Sequence, residues 1–339
     1  MELKGLVRKL AALNGTSGDE TDVREYIISS LPEDVGYRVD NLGNLIVEKK
    51  GDVTPEKKLM IAAHMDEVGF IVTHIEDSGE LCFAPVGGVL PAVVFGRQLV
   101  FKNGVRGAVA SKPLHLLKGD ERDEQPKISS LRIDIGAESK EEAEKLVSVG
   151  DCAYFTGEQR DFGSGYMSGK ALDDRVGCGI MLELLNSDLP YDCTFVFTVQ
   201  EEIGTRGAKA AAFSVDPDLA IVIETTTACD FSGTEGEKKV CELGKGPVVS
   251  YMDKGTIYDK ELYRLGFETA KNIGIPCQTK SAVAGGNDSG AIHTSAGGVR
   301  TMAISVPCRY LHSPNCVIKE TDLADTKKLV RAVIDSIMQ

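Results

Sequence analysis

The sequence predicts an α/β protein in which a mixed, mostly parallel sheet is covered by helices and interrupted by an inserted β-rich, barrel-like unit. Apolar runs rich in β-branched residues alternate with helical patterns in the first and last parts of the chain, which is typical of such sheets. Between 67 and 161 the pattern changes to strand-like pieces separated by turn signals such as Asn103-Gly104. The 339 residues exceed the roughly 250–300 at which a single core stops growing, so two structural units are expected.

The N-terminal segment predicts two helices, a hairpin and a buried strand. Leucine and valine spacing over 2–13 is helical, and Ser17-Gly18-Asp19-Glu20 matches a capping box that opens a second helix. Two strand-like stretches within 37–48 flank a turn and indicate a hairpin. The apolar run over 58–63 predicts a strand that leads directly into His64-Met65-Asp66.

The rest of the chain follows the same division. Strands of the insert are predicted over 70–75, 99–102, 105–111, 131–135 and 152–155, with a short helix near 139–147 and a mobile polar loop over 118–127. After Gly163 helices are predicted over 175–185, 205–212, 262–273 and 323–337, and strands over 193–199, 219–223 and 301–306. The chain therefore divides into a discontinuous domain of 1–66 and 162–339 and an inserted domain of 67–161.

Composition and charge narrow the functional classes. A net charge of −13 argues against nucleic acid as the main partner. No apolar stretch approaches the ~20 residues that span a bilayer, and the acidic start Met1-Glu2 does not resemble a signal peptide, so no membrane partner is expected. The nine cysteines are scattered without a Cys-x-x-Cys pair, which predicts reduced thiols and a cytoplasmic location. The absence of Trp counts weakly against a carbohydrate enzyme.

Two adjacent carboxylates, Glu201 and Glu202, follow the strand predicted over 193–199. Burying two like charges is costly unless a cation or a shared proton offsets them. Neighbouring side chains on an extended backbone diverge, so the two residues are expected to have different roles. One could ligate a metal while the other handles a proton. An isolated Glu-Glu pair would more often face solvent, and only the rest of the chain argues otherwise.

Other predicted strands also lead into side chains that bind metals. Because the carboxyl ends of parallel strands meet at one edge of a sheet, these side chains are expected to converge there. Asp173 and Asp174 stand just before a helix and join the same set. The strand-end residues are His64 and Asp66 after 58–63, Glu201 and Glu202 after 193–199, Glu224 after 219–223 and His312 after 301–306.

This donor set favours divalent cations. Two histidines with several carboxylates suit Zn²⁺, Co²⁺ or Mn²⁺, and the lack of Cys ligands fits a catalytic site better than a structural one. The carboxylates exceed what one ion needs. Two ions about 3.5–4 Å apart, bridged by a carboxylate and a water, would use them all and would activate that water.

The motifs resemble those of the M42 metallo-aminopeptidases, the tetrahedral aminopeptidases within the larger clan of co-catalytic zinc peptidases. The resemblance covers nearly the whole chain, with the motifs in the family's order and spacing. The matching segments are Ala63-His64-Met65-Asp66-Glu67-Val68-Gly69, Ala171-Leu172-Asp173-Asp174-Arg175, Gln200-Glu201-Glu202-Ile203-Gly204, Gly285-Gly286-Asn287-Asp288 and Arg309-Tyr310-Leu311-His312-Ser313-Pro314.

The resemblance implies a role for each site residue. His64, Glu202, Glu224 and His312 would be metal ligands, and Asp173 would bridge the two ions. Asp66 would be the carboxylate that fixes the His64 tautomer, and Glu201 would be the general base. A cis peptide bond is expected between Asp173 and Asp174. Two positions depart from the family: Glu224 stands where Asp is usual, and Asn287 stands where Thr is common.

The resemblance also implies a function and an assembly. It predicts a zinc-peptidase catalytic domain that removes N-terminal residues from short peptides. Each subunit would hold two divalent ions, with Zn²⁺ favoured over Co²⁺ or Mn²⁺. The insert would pair subunits, and six dimers would form a hollow tetrahedral dodecamer.

Three alternatives remain open from the sequence. A metal-dependent N-acyl amino acid deacylase or carboxypeptidase would need a cation for the substrate carboxylate, and Arg175, Arg206 and Arg309 lie near the motifs. A glycoside hydrolase would need two opposed carboxylates about 5–9.5 Å apart and no metal. A non-catalytic peptide-binding shell would lack a functioning base, which the intact Glu201 argues against.

Overall fold

A computed structural model of the chain describes residues 2–116, 119 and 126–338. Most of the polar loop predicted over 118–127 lies outside the described residues. The strands are β1 (Gly36–Val39), β2 (Leu45–Lys49), β3 (Leu59–His64), β4 (Gly69–Ile75), β5 (Leu81–Val86), β6 (Gln98–Phe101), β7 (Arg106–Ala110), β8 (Arg132–Asp134), β9 (Cys152–Phe155), β10 (Arg160–Phe162), β11 (Tyr166–Gly169), β12 (Cys193–Thr198), β13 (Leu219–Thr227), β14 (Val248–Val249), β15 (Gln278–Thr279), β16 (Arg300–Cys308) and β17 (Cys316–Lys319). The α-helices are α1 (Leu3–Ala12), α2 (Thr21–Ser29), α3 (Pro91–Val94), α4 (Lys140–Ala143), α5 (Leu172–Leu185), α6 (Arg206–Val215), α7 (Lys260–Asn272), α8 (Ser289–Ile292) and α9 (Glu320–Ile337).

A mixed sheet forms the centre of the molecule. Within the described ranges it has eight strands in the order β1-β2-β12-β3-β13-β16-β14-β15. The middle strands β12, β3, β13 and β16 are mutually parallel, whereas β2 and β14 pair antiparallel on either side of them. The carboxyl ends of the four parallel strands therefore lie at one edge, as the sequence predicts.

Helices cover both faces of this sheet. Along β3, Leu59, Ile61 and Ala63 belong to the main core with α1, α5 and α9, while Met60 and Ala62 face the smaller cluster with α6 and α8. Successive side chains of a strand point to opposite faces, so a strand buried on both sides is apolar throughout. This explains why the 58–63 run shows no polar alternation.

A second core fills the inserted segment. Six strands of the described chain close into a barrel in the order β4-β5-β8-β7-β6-β9. Phe70 packs edge-on against Phe83 and Phe155, with ring centroids 5.3 and 5.0 Å apart. The predicted α/β fold with a barrel-like insert is confirmed. The domain limits at 66 and 161 stay a prediction.

The structure adds strands that the patterns did not reveal. The hairpin partner β5 was not predicted, nor was the small sheet β10-β11-β17. Of this small sheet, β10 and β11 precede α5 in the chain and β17 follows β16. The loop between β16 and β17 carries His312. Short polar strands such as Arg160–Phe162 lack the apolar alternation by which strands are recognised.

Two local expectations are wrong. The capping box is absent, since α2 begins after Glu20 without a side-chain cap hydrogen bond. The Ser17 hydroxyl donates to Asp66, and Glu20 accepts the N–H groups of Gly18 and the distant Gln200. The strand predicted to end at 223 continues to Thr227, so Glu224 projects from within β13 rather than after it. The β-branched Thr225, Thr226 and Thr227 allow pairing with β16 to continue.

No helix in the described ranges is long and apolar enough to cross a membrane. All nine cysteines lie in those ranges and are free, as their spacing predicts.

Candidate metal centre

The predicted site residues converge on the carboxyl edge of the sheet. His64 ends β3, Glu201 and Glu202 follow β12, and Glu224 projects from β13. His312 comes from the loop after β16. Asp173 opens α5, which packs across the sheet beside β3 and β13.

Asp173 stands between the two histidines. Its Oδ1 lies 3.5 Å from His64 Nε2, and its Oδ2 lies 3.6 Å from His312 Nε2. Glu224 Oε2 approaches His64 Nε2 to 3.8 Å, and Glu202 Oε2 approaches His312 Nε2 to 3.2 Å. The five residues therefore form two donor groups that share the Asp173 carboxylate. The additional methylene of Glu224, relative to Asp, does not keep it from the site.

Both imidazoles present Nε2 to the carboxylates. His64 Nδ1 donates to the backbone oxygen of Asp66 (3.0 Å), and His312 Nδ1 donates to the backbone oxygen of Gly88 (2.8 Å). A carbonyl can only accept, so these bonds place a proton on Nδ1 and leave Nε2, the atom available to a metal, facing inward. Gly88 belongs to the inserted segment, which thus orients one histidine of the site.

The Asp66 carboxylate contacts both His64 and the turn after β12. Its part in fixing the His64 tautomer stays a prediction. The carboxylate lies 3.5 Å from His64 Nδ1, and the shorter contact of that ring nitrogen is to the Asp66 backbone oxygen. Its two oxygens accept the N–H groups of Glu201 (3.0 Å) and Glu202 (3.1 Å) and the Ser17 hydroxyl (2.6 Å). Asp66 is fully buried, so these bonds hold the turn that carries both glutamates.

Asp174 is a further site residue, to which the family resemblance assigns no ligand role. Its carboxylate lies beside the His64 imidazole and the Glu224 carboxylate, with the ligand atoms within 4.8 Å of one another. Asp174 Oδ2 and Glu224 Oε1 are buried and have no hydrogen-bond partner. The peptide bond between Asp173 and Asp174 is cis, as the resemblance implies. The doubled Asp in the motif was the available signal.

Burial dominates the protonation of the site. It raises the pKa of Glu202 to about 7, and it raises the pKa values of Glu201 and Glu224 well above their usual range. Burial also acts to raise the pKa of Asp173, but hydrogen bonds with His312 and His64 outweigh it and lower that pKa. Burial opposes the charge of His312, yet Asp173 and Glu202 raise its pKa to about 10. Without a cation, burial therefore favours the protonated form of the three glutamates.

These residues fit divalent metal ions. Donors at about 2.0–2.2 Å around a tetrahedral ion lie roughly 3.3–3.6 Å apart, close to the 3.2–3.8 Å separations seen here. Buried carboxylate oxygens without partners, as on Asp174 and Glu224, are costly unless a cation or a hydrogen bond offsets them. Two His with several carboxylates, and no Cys, is the donor chemistry of catalytic zinc sites.

Asp288 of the Gly-Gly-x-Asp motif is another acidic residue of the site. Asp288 is fully buried, and its Oδ2 accepts the Thr198 hydroxyl at 2.5 Å. Burial raises its pKa to about 6. Asn287, where Thr is common in the family, donates to the Tyr258 hydroxyl at 3.1 Å. The motif was recognised from the sequence, but no role was assigned to Asp288.

Two of the three arginines near the motifs are engaged elsewhere. Arg175 is fully buried and donates to backbone oxygens, including those of Met65 (2.7 Å) and Leu10 (2.6 Å). Arg309 forms a bidentate pair with Asp230 at 2.6 and 2.9 Å. Arg206 lies exposed on α6 in a groove beside Phe213.

Comparison with known proteins agrees with this geometry. The model of the M42 glutamyl aminopeptidase family matches residues 43–329. A putative aminopeptidase of Acetivibrio thermocellus is 42% identical, covering 98% of this chain and 97% of that protein. The lysyl aminopeptidase of Pyrococcus furiosus is 34% identical over 98% of this chain and 96% of its own.

A solved structure extends the likeness to the fold. The TET1 peptidase of Pyrococcus horikoshii, described as able to assemble into a tetrahedron or a large octahedral shell, has a TM-score of 0.86 and 35% identity. The match covers 98% of this chain and 99% of that one. The chain therefore belongs to the M42 family of aminopeptidases and is a peptide hydrolase.

Proposed function

We propose that this aminopeptidase is a dinuclear metalloenzyme that removes N-terminal residues from short peptides, with Glu201 as general base. One observation carries the proposal: the two oxygens of Asp173 face His64 and His312 separately, as a bridging carboxylate requires. One ion would be held by His64, Asp173 and Glu224, and the other by His312, Asp173 and Glu202. Asp174 stands close enough to complete the first set.

The metal pair, most suitably Zn²⁺ with Co²⁺ or Mn²⁺ as alternatives, would polarise the scissile carbonyl and lower the pKa of the attacking water. The carboxylate of Glu201 accepts the proton of that water and passes it to the departing amine. Burial raises its pKa, which favours its taking a proton from that water. Asp66 accepts the Glu201 N–H and so fixes the backbone position from which the Glu201 side chain extends.

The substrate must bring a free amino group. The buried carboxyl oxygens of Glu224 and Asp174 are acceptors for an ammonium beside the first metal position. A small pocket on the other side is lined by Asp173, Glu202 and His312. Related proteins are named for glutamyl and for lysyl substrates, so the preferred N-terminal residue has to be measured.

The test compares aminoacyl-p-nitroanilides with their N-acetylated forms, after chelation and after addition of Zn²⁺, Co²⁺ or Mn²⁺. Activity on the free-amine compounds alone, lost on chelation and restored by metal, is expected. Glu201→Gln is expected to keep its metal content and lose about 10²–10⁴-fold in kcat. Glu183→Gln, on α5 and paired with Lys327, is the matched control and should retain activity. Normal turnover by metal-loaded Glu201→Gln would end the assignment of the base.

We also propose that the barrel pairs subunits and that the dimers assemble into a tetrahedral dodecamer. The barrel segment exposes large apolar side chains, with Leu90, Phe95 and Val149 67%, 54% and 61% exposed. Burying such groups favours association. Light scattering of the purified protein tests this, and Leu90→Glu with Phe95→Glu should shift the mass toward the monomer. The cytoplasmic location stays a prediction.

The alternatives have less support. A deacylase or carboxypeptidase needs a free cation at the site, but Arg175 and Arg309 are engaged in the hydrogen bonds described above. A glycoside hydrolase needs two opposed carboxylates and no metal, which does not explain why His312 lies against Glu202. Hydrolysis of the acetylated substrates would reopen the first alternative, and chelator-resistant hydrolysis of glucans the second.

A further inference from the structure

Four consecutive backbone N–H groups in the turn after β12 donate to side chains of distant segments. This turn carries the proposed base. The donor–acceptor pairs are Val199 N to Asn44 Oδ1 (3.0 Å), Gln200 N to Glu20 Oε1 (3.1 Å), Glu201 N to Asp66 Oδ1 (3.0 Å) and Glu202 N to Asp66 Oδ2 (3.1 Å).

Gln200 is the conformationally demanding member of this turn. Its φ is +57°, in the left-handed region that non-glycine residues rarely adopt. Such a residue persists only where its surroundings hold it, and strained backbone of this kind is common at active sites. The hydrogen bond from its N–H to Glu20 is therefore the contact that bears most directly on the path of the chain into Glu201.

Glu20 is itself held firmly in place. Its side chain is buried, with 4% of the residue exposed, and its Oε1 also accepts the N–H of Gly18 at 2.8 Å. The residues just before it contact other parts of the chain. The Ser17 hydroxyl donates to Asp66, and Asp19 accepts hydrogen bonds from the Tyr154 hydroxyl and from Lys102 Nζ (3.0 Å), both in the barrel segment.

We propose that Glu20 is a positioning residue for the general base. Its carboxylate holds the Gln200 N–H and thereby the left-handed turn that aims the Glu201 side chain. The segment 17–20, which the sequence presents as a helix cap, acts as a brace between the barrel and this turn. The inference rests on the proposed role of Glu201. Removal of the Glu20 acceptor leaves the bonds of Glu202 and His64 to Asp66 intact, so metal binding should be retained.

The test compares Glu20→Ala with Glu20→Gln in protein loaded with Zn²⁺. A displacement of about 1 Å at a reacting group can cost about 10²-fold, so Glu20→Ala is expected to lower kcat by about 10- to 100-fold. KM and the zinc content of the purified protein should not change. Glu20→Gln keeps an oxygen acceptor at the same place and should recover most of the lost kcat.

Asp322→Ala is the matched control. Asp322 is also a buried carboxylate, on α9, and accepts two backbone N–H groups, from Gly244 (2.6 Å) and Gly246 (2.9 Å). This variant should lower the melting temperature as Glu20→Ala does, while its kcat stays at the wild-type value.

Three results would overturn the inference: wild-type kcat in Glu20→Ala, equal losses in the Ala and Gln variants, or a loss of kcat that follows loss of zinc. Failure of the proposed function is seen separately. It would show as unchanged kcat in Glu201→Gln, or as no metal-dependent turnover by the wild-type protein.

Discussion

The isosteric change Asp66→Asn tests how the turn that carries the proposed base, Glu201, is held in place. The carboxylate accepts the Ser17 hydroxyl at 2.6 Å and the N–H groups of Glu201 and Glu202 at 3.0 and 3.1 Å. Asparagine keeps one oxygen and replaces the other with an amide donor. Whichever way the amide is turned, one of the two backbone N–H groups then faces another donor.

The magnitude follows from these contacts. A buried donor left without a partner costs about 1–3 kcal/mol, and two remaining bonds that lose the charge of the acceptor weaken by about 1 kcal/mol each. Asp66→Asn should therefore lower the free energy of unfolding by about 3–5 kcal/mol. Because the turn also carries Glu201, kcat should fall by about 10²-fold. The bond from His64 Nδ1 uses the backbone oxygen of residue 66, so metal content should be retained.

The assay combines urea unfolding, metal analysis and steady-state kinetics. Asp322→Asn is the matched control, because it also removes one acceptor from a buried carboxylate that accepts two backbone N–H groups. It should lose about 2–4 kcal/mol of stability and keep its kcat. Wild-type kcat in fully metal-loaded Asp66→Asn would refute the reasoning, since the N–H contacts would then not position the base.

Three further changes test other contacts. Burial raises the pKa of Glu20 to about 7, so the stability that this group contributes is present below its unfolded pKa near 4.5 and is lost as pH rises through 7. Glutamine does not titrate, so Glu20→Gln should not show this loss. The difference in unfolding free energy, Glu20→Gln minus wild type, should therefore rise by up to about 3 kcal/mol between pH 5 and 8, and a difference that stays constant with pH would contradict this. Lys170→Met leaves the buried Glu67 carboxylate without its 2.6 Å ammonium partner and should cost about 3–5 kcal/mol in urea unfolding, much of it recovered when Glu67→Gln is added. Arg309→Gln removes the bidentate bond to Asp230 three residues before His312 and should weaken zinc binding about 10- to 100-fold in a competition titration, whereas unchanged affinity would show that the loop needs no such anchor.

The segments that form the central strands of the sheet could be predicted because both faces of the sheet are buried. A strand such as β3, apolar at every position, and the helices around it are encoded in local patterns that span a few residues. The rule that parallel strands end at one edge then places His64, Glu202 and His312 together without any knowledge of contacts. The limits of β13 were missed because the threonines after Glu224 are polar by composition, yet they continue the pairing with β16.

The partners of the buried polar groups could not be predicted. Ser17 and Glu20 have the spacing of a helix cap, but their side chains reach Asp66 and Gln200, 49 and 180 positions away. Arg175 reads from the sequence as a candidate for substrate binding, yet it is fully buried against backbone oxygens. Such bonds depend on which oxygen of a side chain faces which donor, and chain folding alone determines that.

By itself the sequence determined the α/β class, the barrel-like insert and the ligand types at the sheet edge, because periodicity and residue chemistry are local properties. Only the tertiary structure decided that the oxygens of Asp173 face different histidines, that Asp66 holds the turn of Glu201 and Glu202, and that Gly88 of the insert orients His312. Those contacts join segments far apart in the chain. Their geometry arises when the sheet, the helices and the barrel pack together, and no short stretch of sequence encodes it.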